Sequence, residues 1–300
     1  MIPVNMTGIL GANRYRRKSD YNAGMARDLK EMTCVITGAS AGIGAELAKQ
    51  LSARGARLVL AARRADRLEQ LNTELGGRHV CVVTDVAKRE DCTRLIDQSI
   101  ASLGRIDTLV CNAGYGLYER TALTTPDQMR EIFATNVFGT TDCIAAGVPH
   151  LMRNTPRDGW RGQVMIVSSC VARRGVPFLG AYSATKSAQL SIAEALRVEL
   201  AEHQIGVTSV HPIMTKTEFG QQAESRGQVA LPKSQRDMFT QTVGHVVRCM
   251  VRAIERPRPE VWPSLGSRIG FALGGLMPGL IDRGMKRYCE QVVEANRSHQ

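Results

Sequence analysis

The sequence lacks a long apolar run, a secretory leader and a paired cysteine motif, and each absence argues against a class of protein. No uninterrupted apolar stretch reaches the roughly 20 residues of a membrane-spanning helix. The N-terminus has no apolar leader followed by a small-residue cleavage site, so we expect no secretory signal. None of the eight cysteines belongs to a Cys-x-x-Cys pair. Zinc binding and thiol-redox chemistry therefore have no support, and we predict no metal site.

Acidic residues are also scarce, since 39 Lys and Arg face 28 Asp and Glu and the formal net charge is +11. A nucleic-acid partner is one interpretation of this excess. The other is an enzyme with a basic surface and a polyanionic cofactor. We favour the enzyme and predict no nucleic-acid partner, because the arginines are spread along the chain without a recognition motif. Cysteines inside apolar strand patterns indicate a reducing compartment, and we expect a cytoplasmic protein.

The chain divides into three predicted parts. Residues 1–30 form a basic N-terminal extension that we expect to be flexible, residues 31–265 form one α/β domain, and residues 266–300 form a tail with apolar and basic stretches. In the domain, strand patterns alternate with helix patterns, which predicts a doubly wound parallel sheet of about seven strands with helices on both faces, as in Rossmann-like folds. The predicted strands are 33–37, 57–61, 80–83, 106–110, 164–167, 207–210 and 261–262.

A glycine-rich turn lies between the first predicted strand and the helix that follows it. The spacing is Gly38-x-x-x-Gly42-x-Gly44. Backbone N–H groups at such a turn, together with the positive end of the helix, favour a pyrophosphate, and glycine is required where a side chain would block that group. The turn therefore predicts a dinucleotide site. Its expected contacts are Gly38, Ser40, Gly42, Ile43 and Gly44.

The end of the second predicted strand indicates which nucleotide binds. An acidic residue at this place bonds the ribose 2′-hydroxyl of NAD, but the sequence here is Ala61-Ala62-Arg63-Arg64. Alanine leaves room for a 2′-phosphate, and a guanidinium can pair with it. We predict NADP(H) in preference to NAD(H), with Arg63 as the main phosphate contact and Ser40 assisting. The alternative is that both arginines are solvent-facing charges at a helix start.

Ser169, Tyr182 and Lys186 form the candidate proton-transfer site. Tyr182 and Lys186 are four residues apart at the start of a predicted helix, so they share one face. A neighbouring ammonium should lower the pKa of the phenol, which lets Tyr182 act as general acid for carbonyl reduction or general base for alcohol oxidation. Ser169 ends the fifth predicted strand, where its hydroxyl can hold the substrate oxygen.

Further motifs complete a set that is typical of one family. Asp85-Val86 follows the third predicted strand, Asn112-Ala113-Gly114 the fourth, and 212–217 the sixth, while Asn136 lies in a helix between them. From about residue 32 to residue 219 the sequence resembles the short-chain dehydrogenase/reductase family, of the compact single-domain type. Two positions depart from the family pattern: Cys111 precedes Asn112 where the family often has asparagine, and Ile213 follows Pro212 where it commonly has glycine.

The resemblance implies further roles for these residues. Asn136 joins Ser169, Tyr182 and Lys186 as a catalytic residue and holds a water that links Lys186 to solvent. The implied cofactor contacts are Asp85 and Val86 at the adenine, the turn of Asn112, Ala113 and Gly114, Tyr182 and Lys186 themselves, and Ile213 and Thr217 at the carboxamide. The resemblance also implies a homodimer or a homotetramer.

Two segments are assigned to the substrate side. Residues 213–238 are polar, and we predict a substrate loop that forms a mobile lid. Residues 269–281 are apolar, with basic residues on both sides, and are too short to cross a bilayer. They either pack on the domain or on another subunit, which we favour, or lie on a membrane surface.

Together these patterns predict an NADP(H)-dependent oxidoreductase that interconverts a carbonyl and a secondary alcohol on a small molecule by hydride transfer. The alternative is a catalytically idle NADP-binding regulator on the same fold. The intact catalytic set argues against that alternative. The identity of the substrate stays open among steroids, sugars, fatty acyl groups, quinones and small ketones.

Overall fold

A computed structural model describes residues 26–215, 218–231 and 240–297 of the chain. Residues 1–25 of the predicted extension, parts of the predicted substrate loop, and Thr217 with its expected cofactor contact lie outside the described residues.

The centre of the molecule is a seven-stranded sheet in the order β3-β2-β1-β4-β5-β6-β7, with every pairing parallel. This confirms the predicted doubly wound α/β fold. Its strands are β1 Thr33–Thr37, β2 Arg57–Ala62, β3 Val80–Val83, β4 Thr108–Cys111, β5 Gly162–Val167, β6 Ile205–Val210 and β7 Glu260–Val261. Most of them are buried on both faces, which explains their near-continuous apolar sequences.

Helices cover both faces of the sheet. The helices of the described residues are α1 Gly42–Ser52, α2 Ala65–Glu74, α3 Arg89–Leu103, α4 Pro126–Phe133, α5 Gly139–Arg153, α6 Gly180–Glu199, α7 Glu218–Arg226, α8 Val243–Glu255, α9 Leu265–Leu276 and α10 Pro278–Arg297. One apolar core joins α1, α2 and α8 to the sheet, and a second core joins α3, α5 and α6 to the opposite face. None of the helices in the described ranges has the length and hydropathy of a bilayer-spanning segment.

The start of α4 illustrates how local sequence sets a helix boundary. The Thr125 hydroxyl accepts a hydrogen bond from the Gln128 backbone at 3.2 Å, and the Gln128 side chain accepts one from the Thr125 backbone at 2.9 Å. Pro126 occupies the first helical position, where its missing N–H costs nothing. This reciprocal cap is the one that the Thr125-Pro126-Asp127-Gln128 sequence encodes.

The packed part of the chain begins before residue 31, where the sequence patterns had placed its start. Arg27 is 4% exposed. Its guanidinium donates to the Gln163 side chain at 2.9 Å, the Asp107 carbonyl at 2.9 Å and the Thr108 hydroxyl at 3.2 Å. A buried cation needs such acceptors to offset its lost hydration. These long-range partners join residues 26–30 to the domain.

The C-terminal helices α9 and α10 pack beside the carboxyl edge of the sheet. Arg174, in the loop after β5, donates to the carbonyls of Gly274 and Pro278, both at 3.3 Å, and pairs with Asp282. Val292 of α10 is fully buried in a third apolar cluster, which also contains Tyr182. The tail is therefore connected to the loop that carries Ser169, while much of α9 stays exposed.

Candidate active site

The glycine-rich turn after β1 has a geometry that requires glycine at positions 38 and 44. Gly38 has a φ of 67°, and a Cβ atom there would lie 2.9 Å from both the Ala113 Cα and the Asn112 side-chain nitrogen Nδ2. A Cβ on Gly44 would collide with the Gly38 carbonyl oxygen. The spacing of these glycines therefore reflects a close approach between the turn after β1 and the turn after β4.

Asn112 connects these two turns directly. Its side-chain nitrogen donates to the Thr37 carbonyl at 2.9 Å, and the Thr37 hydroxyl accepts from the backbone nitrogens of Asn112 and Ala113, both at 3.0 Å. The order of the strands reverses between β1 and β4, which opens a crevice at their carboxyl ends. Gly114 lies at this crevice, where a Cβ would stand 2.9 Å from the Asn136 side-chain oxygen.

The residues after β2 bring several arginines to the same edge. Arg64 donates to the Ser40 hydroxyl at 3.2 Å and pairs with Glu218 at 3.3 Å, and Arg67 pairs with Glu218 at 2.7 Å. Arg63 is exposed beside them. Arg64 is the arginine that touches the glycine-rich turn, and Arg63 as the main phosphate contact stays a prediction. Adjacent residues after a strand cannot be ranked from sequence, because their directions depend on the following turn.

Asp85 and Val86 follow β3 at this edge of the sheet. The Asp85 carboxylate accepts from the Ala87 backbone at 3.1 Å, and the Asp85 backbone donates to Asp91 at 2.9 Å. Val86 is buried and packs closely on Gly139, where a Cβ would lie 2.7 Å from the Val86 carbonyl oxygen. Both residues therefore lie in an ordered turn beside the crevice.

Tyr182 and Ser169 meet at the carboxyl edge, where Ser169 follows β5 and Tyr182 lies in the first turn of α6. Both are buried. Burial raises the pKa of the Tyr182 phenol, and a hydrogen bond with the Ser169 hydroxyl only partly opposes that rise. The expectation of a lowered phenol pKa is therefore wrong for the protein by itself. The loss of hydration destabilises the phenolate more than the hydrogen bond with Ser169 stabilises it.

Lys186 lies one turn along α6, with its Nζ 5.5 Å from the centroid of the Tyr182 ring. The ammonium donates to the Val167 carbonyl and to the Gln189 side-chain oxygen, both at 2.9 Å. Burial lowers the pKa of Lys186 to about 7, since the buried charge loses its hydration. The charged form of Lys186 is therefore less favoured than that of an exposed lysine.

Asn136 lies in a π-helical turn, Ala134–Phe138, between α4 and α5. Its side chain bonds both backbone groups of Tyr115 and the Thr185 hydroxyl, each at 3.0 Å. Its carbonyl oxygen accepts from the Gln189 side chain at 2.6 Å. Gln189 is not among the residues predicted from the sequence, where its one signal is a polar residue on the buried face of the helix that carries Lys186.

Neighbours of Ser169 on the next strand help to hold its position. His211 follows β6, and its Nδ1 lies 3.2 Å from the Ser169 carbonyl oxygen. Its ring stacks on Trp262 with centroids 4.4 Å apart. Burial lowers the pKa of His211 to about 4, so the ring is neutral at physiological pH. The contact between His211 and the Ser169 carbonyl therefore joins the segment after β5 to the segment after β6.

The space around Tyr182 is apolar. Phe219 of α7 meets the Tyr182 ring edge-on, with centroids 5.5 Å apart, and Ile213 packs against the same cluster. Buried side chains that complete it include Leu117, Tyr118, Val171, Phe178 and Leu179. The Tyr182 side chain is therefore surrounded mainly by apolar groups.

Residues 32–227 match the family model described as short chain dehydrogenase. The chain belongs to the short-chain dehydrogenase/reductase family. It is by class an oxidoreductase.

Two relatives in this family illustrate the range of similarity. "Uncharacterized oxidoreductase YxnA" of Bacillus subtilis (strain 168) is 31% identical over 277 residues, covering 90% of this chain and 76% of that protein. "11-beta-hydroxysteroid dehydrogenase A" of Arachis hypogaea is 37% identical over 227 residues, covering 71% of this chain and 62% of that protein. The chain thus spans less than two thirds of the length of the plant relative.

Solved structures of the short-chain dehydrogenase/reductase family share the fold. A 3-ketoacyl-(acyl-carrier-protein) reductase from Brucella melitensis, complexed with NADH, matches with a TM-score of 0.67 at 25% identity, covering 76% of this chain and 92% of that one. An alcohol dehydrogenase from Thermococcus sibiricus, complexed with 5-hydroxy-NADP, matches with a TM-score of 0.65 at 26% identity, covering 77% and 94%. These neighbours bind nicotinamide nucleotides of both kinds.

Proposed function

We propose that the protein interconverts a carbonyl and a secondary alcohol by hydride transfer, with Tyr182 as the general acid and base. One observation carries the proposal: the Tyr182 phenol and the Ser169 hydroxyl meet at the carboxyl edge of the sheet, with the Lys186 ammonium one helical turn away. Ser169 would hold the substrate oxygen while Tyr182 transfers the proton. Tyr182 is protonated at neutral pH, as a general acid for carbonyl reduction must be.

The residues of the crevice fit a dinucleotide. The glycine-rich turn presents backbone without side chains where a Cβ would fill the gap toward the turn after β4, and the α1 N-terminus favours phosphate. A nicotinamide nucleotide bound there would supply or accept the hydride. We assign its binding to the turn of Gly38–Gly44, to Asp85 and Val86, to Asn112–Gly114, and to Ile213 and Thr217.

We assign NADP(H) as the preferred cofactor because guanidinium groups, and no acidic residue, follow directly after β2. Arg64 already reaches the Ser40 hydroxyl, and Arg63 and Arg67 stand beside it. A 2′-phosphate placed there would meet several positive charges. Glu218 pairs with Arg64 and Arg67, so a phosphate would compete with this carboxylate. Both Arg63 and Arg64 are therefore assigned to phosphate binding.

The substrate that fits these surroundings of Tyr182 is a small lipophilic carbonyl compound or alcohol. The support is the apolar cluster around Tyr182, in which Phe219 and Leu117 are typical members. The plant relatives are named hydroxysteroid dehydrogenases, which agrees with a lipophilic substrate class. Charged sugars and short polar ketones would leave this apolar surface uncovered.

A panel of lipophilic and polar carbonyl compounds with NADPH, followed at the nicotinamide absorbance, tests the proposal. We expect turnover of lipophilic ketones and its loss in Tyr182→Phe. An idle regulator would bind NADPH, seen as nucleotide fluorescence or a raised Tm, and turn over none of the panel. Turnover that survives Tyr182→Phe would remove the assigned role of the phenol.

The exposed face of α9 favours a second assignment, contact with an anionic membrane surface. Four apolar side chains of this helix are exposed by more than half: Leu265 by 66%, Ile269 by 52%, Leu273 by 54% and Leu276 by 79%. They follow each other at helical spacing, and Arg268 lies among them. A helix with such an apolar face and basic neighbours suits the interface of an anionic bilayer. The protein would then be cytoplasmic and peripherally bound, and the implied homodimer or homotetramer is the competing use of this face.

A further inference from the structure

Gln189 lies fully buried behind the proton-transfer site, three residues after Lys186 on α6. Its side-chain oxygen accepts from Lys186 Nζ at 2.9 Å. Its side-chain nitrogen donates to the Asn136 carbonyl at 2.6 Å and to the Thr140 hydroxyl at 2.9 Å. One amide therefore joins the lysine of α6 to the π-helical turn and to α5.

The resemblance implies a water that Asn136 holds and that links Lys186 to solvent. In this protein the Gln189 side chain bonds both Lys186 Nζ and the Asn136 carbonyl directly. A water can rotate, exchange and pass a proton on, whereas a primary amide has a fixed acceptor and fixed donors. The bridge is therefore static, and its geometry is set by the packing of α6.

We propose that Gln189 is a positioning residue of the proton-transfer site, which holds the Lys186 ammonium in place and closes the route between Lys186 and the Asn136 carbonyl to water. The inference rests on the proposed function, in which Lys186 supports Tyr182. It concerns the charge state of Lys186, which can be measured with no substrate and no cofactor.

The surroundings of Lys186 make this contact strong. β5 contributes the Val167 carbonyl, the π-helical turn contributes Asn136, the turn after β4 contributes Gly114, and Tyr182 is the titratable neighbour on the same helix. Among the described residues, no charged group contributes to the pKa of Lys186, and burial alone lowers it. Each hydrogen bond that the ammonium donates therefore stabilises the charged form and opposes burial.

Two substitutions of Gln189 should shift the protonation of Lys186 in opposite directions. Gln189→Met keeps the length of the side chain and removes the acceptor, so the ammonium is less stable and the pKa falls. Gln189→Glu keeps the acceptor and adds a negative charge, so the pKa rises. The expected change is about one pH unit, or tenfold in the protonation equilibrium, in each direction.

The measurement is the ¹³Cε chemical shift of Lys186 against pH in protein with labelled lysine, assigned by the resonance that Lys186→Arg removes. We expect a midpoint near 7 in the unaltered protein, a lower one in Gln189→Met and a higher one in Gln189→Glu. Equal midpoints, or shifts in the same direction, would overturn the proposal. If Gln189→Glu does not fold by circular dichroism, an unchanged midpoint in Gln189→Met overturns it alone.

The same titration keeps this inference separate from the proposed function. A protein that reduces none of the carbonyl panel contradicts the proposed function, while the Lys186 midpoints still report on Gln189. In an active enzyme, Gln189→Met should also move the acid limb of the pH profile of kcat/KM for alcohol oxidation to higher pH, because a less charged Lys186 stabilises the phenolate less. A purely structural role of Gln189 would lower activity without moving that limb.

Discussion

The Lys186 ammonium lies 5.5 Å from the centroid of the Tyr182 ring. This places the cation against the aromatic ring, at a distance where the ring quadrupole attracts it. Burial changes both groups in the direction of neutrality, since the pKa of the phenol is raised and that of the amine is lowered to about 7. Because the pKa of Lys186 is about 7, the charge of this lysine can change within the physiological pH range.

Removing the phenol hydroxyl should abolish most of the chemistry and little of the binding. General acid–base catalysis contributes about 10²–10⁴-fold, so we expect kcat/KM of Tyr182→Phe to fall by at least about 100-fold. The dissociation constant of NADPH should change by less than about threefold. Tyr288→Phe, which removes a hydroxyl from α10, is the matched control and should keep normal kcat. A loss of similar size in the control would point to packing as the cause.

The arginines after β2 should distinguish the two nucleotides. A hydrogen bond between a guanidinium and a phosphate is charge-assisted and therefore strong. We expect Arg64→Ala to weaken NADPH binding by about 10-fold or more. NADH binding should stay nearly unchanged, because NADH has no 2′-phosphate. Fluorescence titration with both nucleotides measures this, and Arg130→Ala, an exposed arginine of α4, serves as the control. Equal weakening of both nucleotides would assign Arg64 to the turn and not to the phosphate.

The buried lysine should make stability depend on pH above neutrality. Its pKa falls from 10.5 to about 7 on folding, so the unfolded chain binds more protons between these two values. The contribution of Lys186 to the free energy of unfolding therefore rises as pH increases from about 7 to about 10.5 and is smallest below 7. Urea unfolding between pH 7 and 8, below the range in which the cysteines of the unfolded chain ionise, should show this rise, and Lys186→Met should flatten it. The exposed Lys49→Met should leave the slope as it is.

The apolar face of α9 should bind anionic vesicles. We expect sedimentation of the protein with phosphatidylserine vesicles, less with phosphatidylcholine, and loss of most binding when Leu273 and Leu276 are both changed to Ser. Val198→Ser, an equally exposed apolar residue of α6, is the control and should bind normally. If the protein stays in the supernatant and the double variant instead splits a dimer on size exclusion, the face is a subunit contact.

Local patterns in the sequence were sufficient for much of the architecture. The strands after Met32 alternate with helices, and the observed bounds differ from the predicted ones by a few residues, as at β4, which begins at Thr108 and not at residue 106. The cap of Thr125 and Gln128 follows from groups close together in the chain, and the exclusion of a side chain at Gly44 comes from the nearby Gly38 carbonyl. Short-range geometry decides these features, so sequence can predict them.

Tertiary contacts decided the rest. Arg27 is held by acceptors on β4 and β5, and Arg64 reaches Ser40 only because β1 and β2 lie side by side. The raised pKa of Tyr182 comes from its burial, and the position of Gln189 between Lys186 and Asn136 comes from the packing of α6 on the π-helical turn. The sequence by itself determined the order of the elements and which chemical groups stand at the edge of the sheet. Solvation and long-range neighbours, which exist only in the folded chain, determined which charges those groups carry.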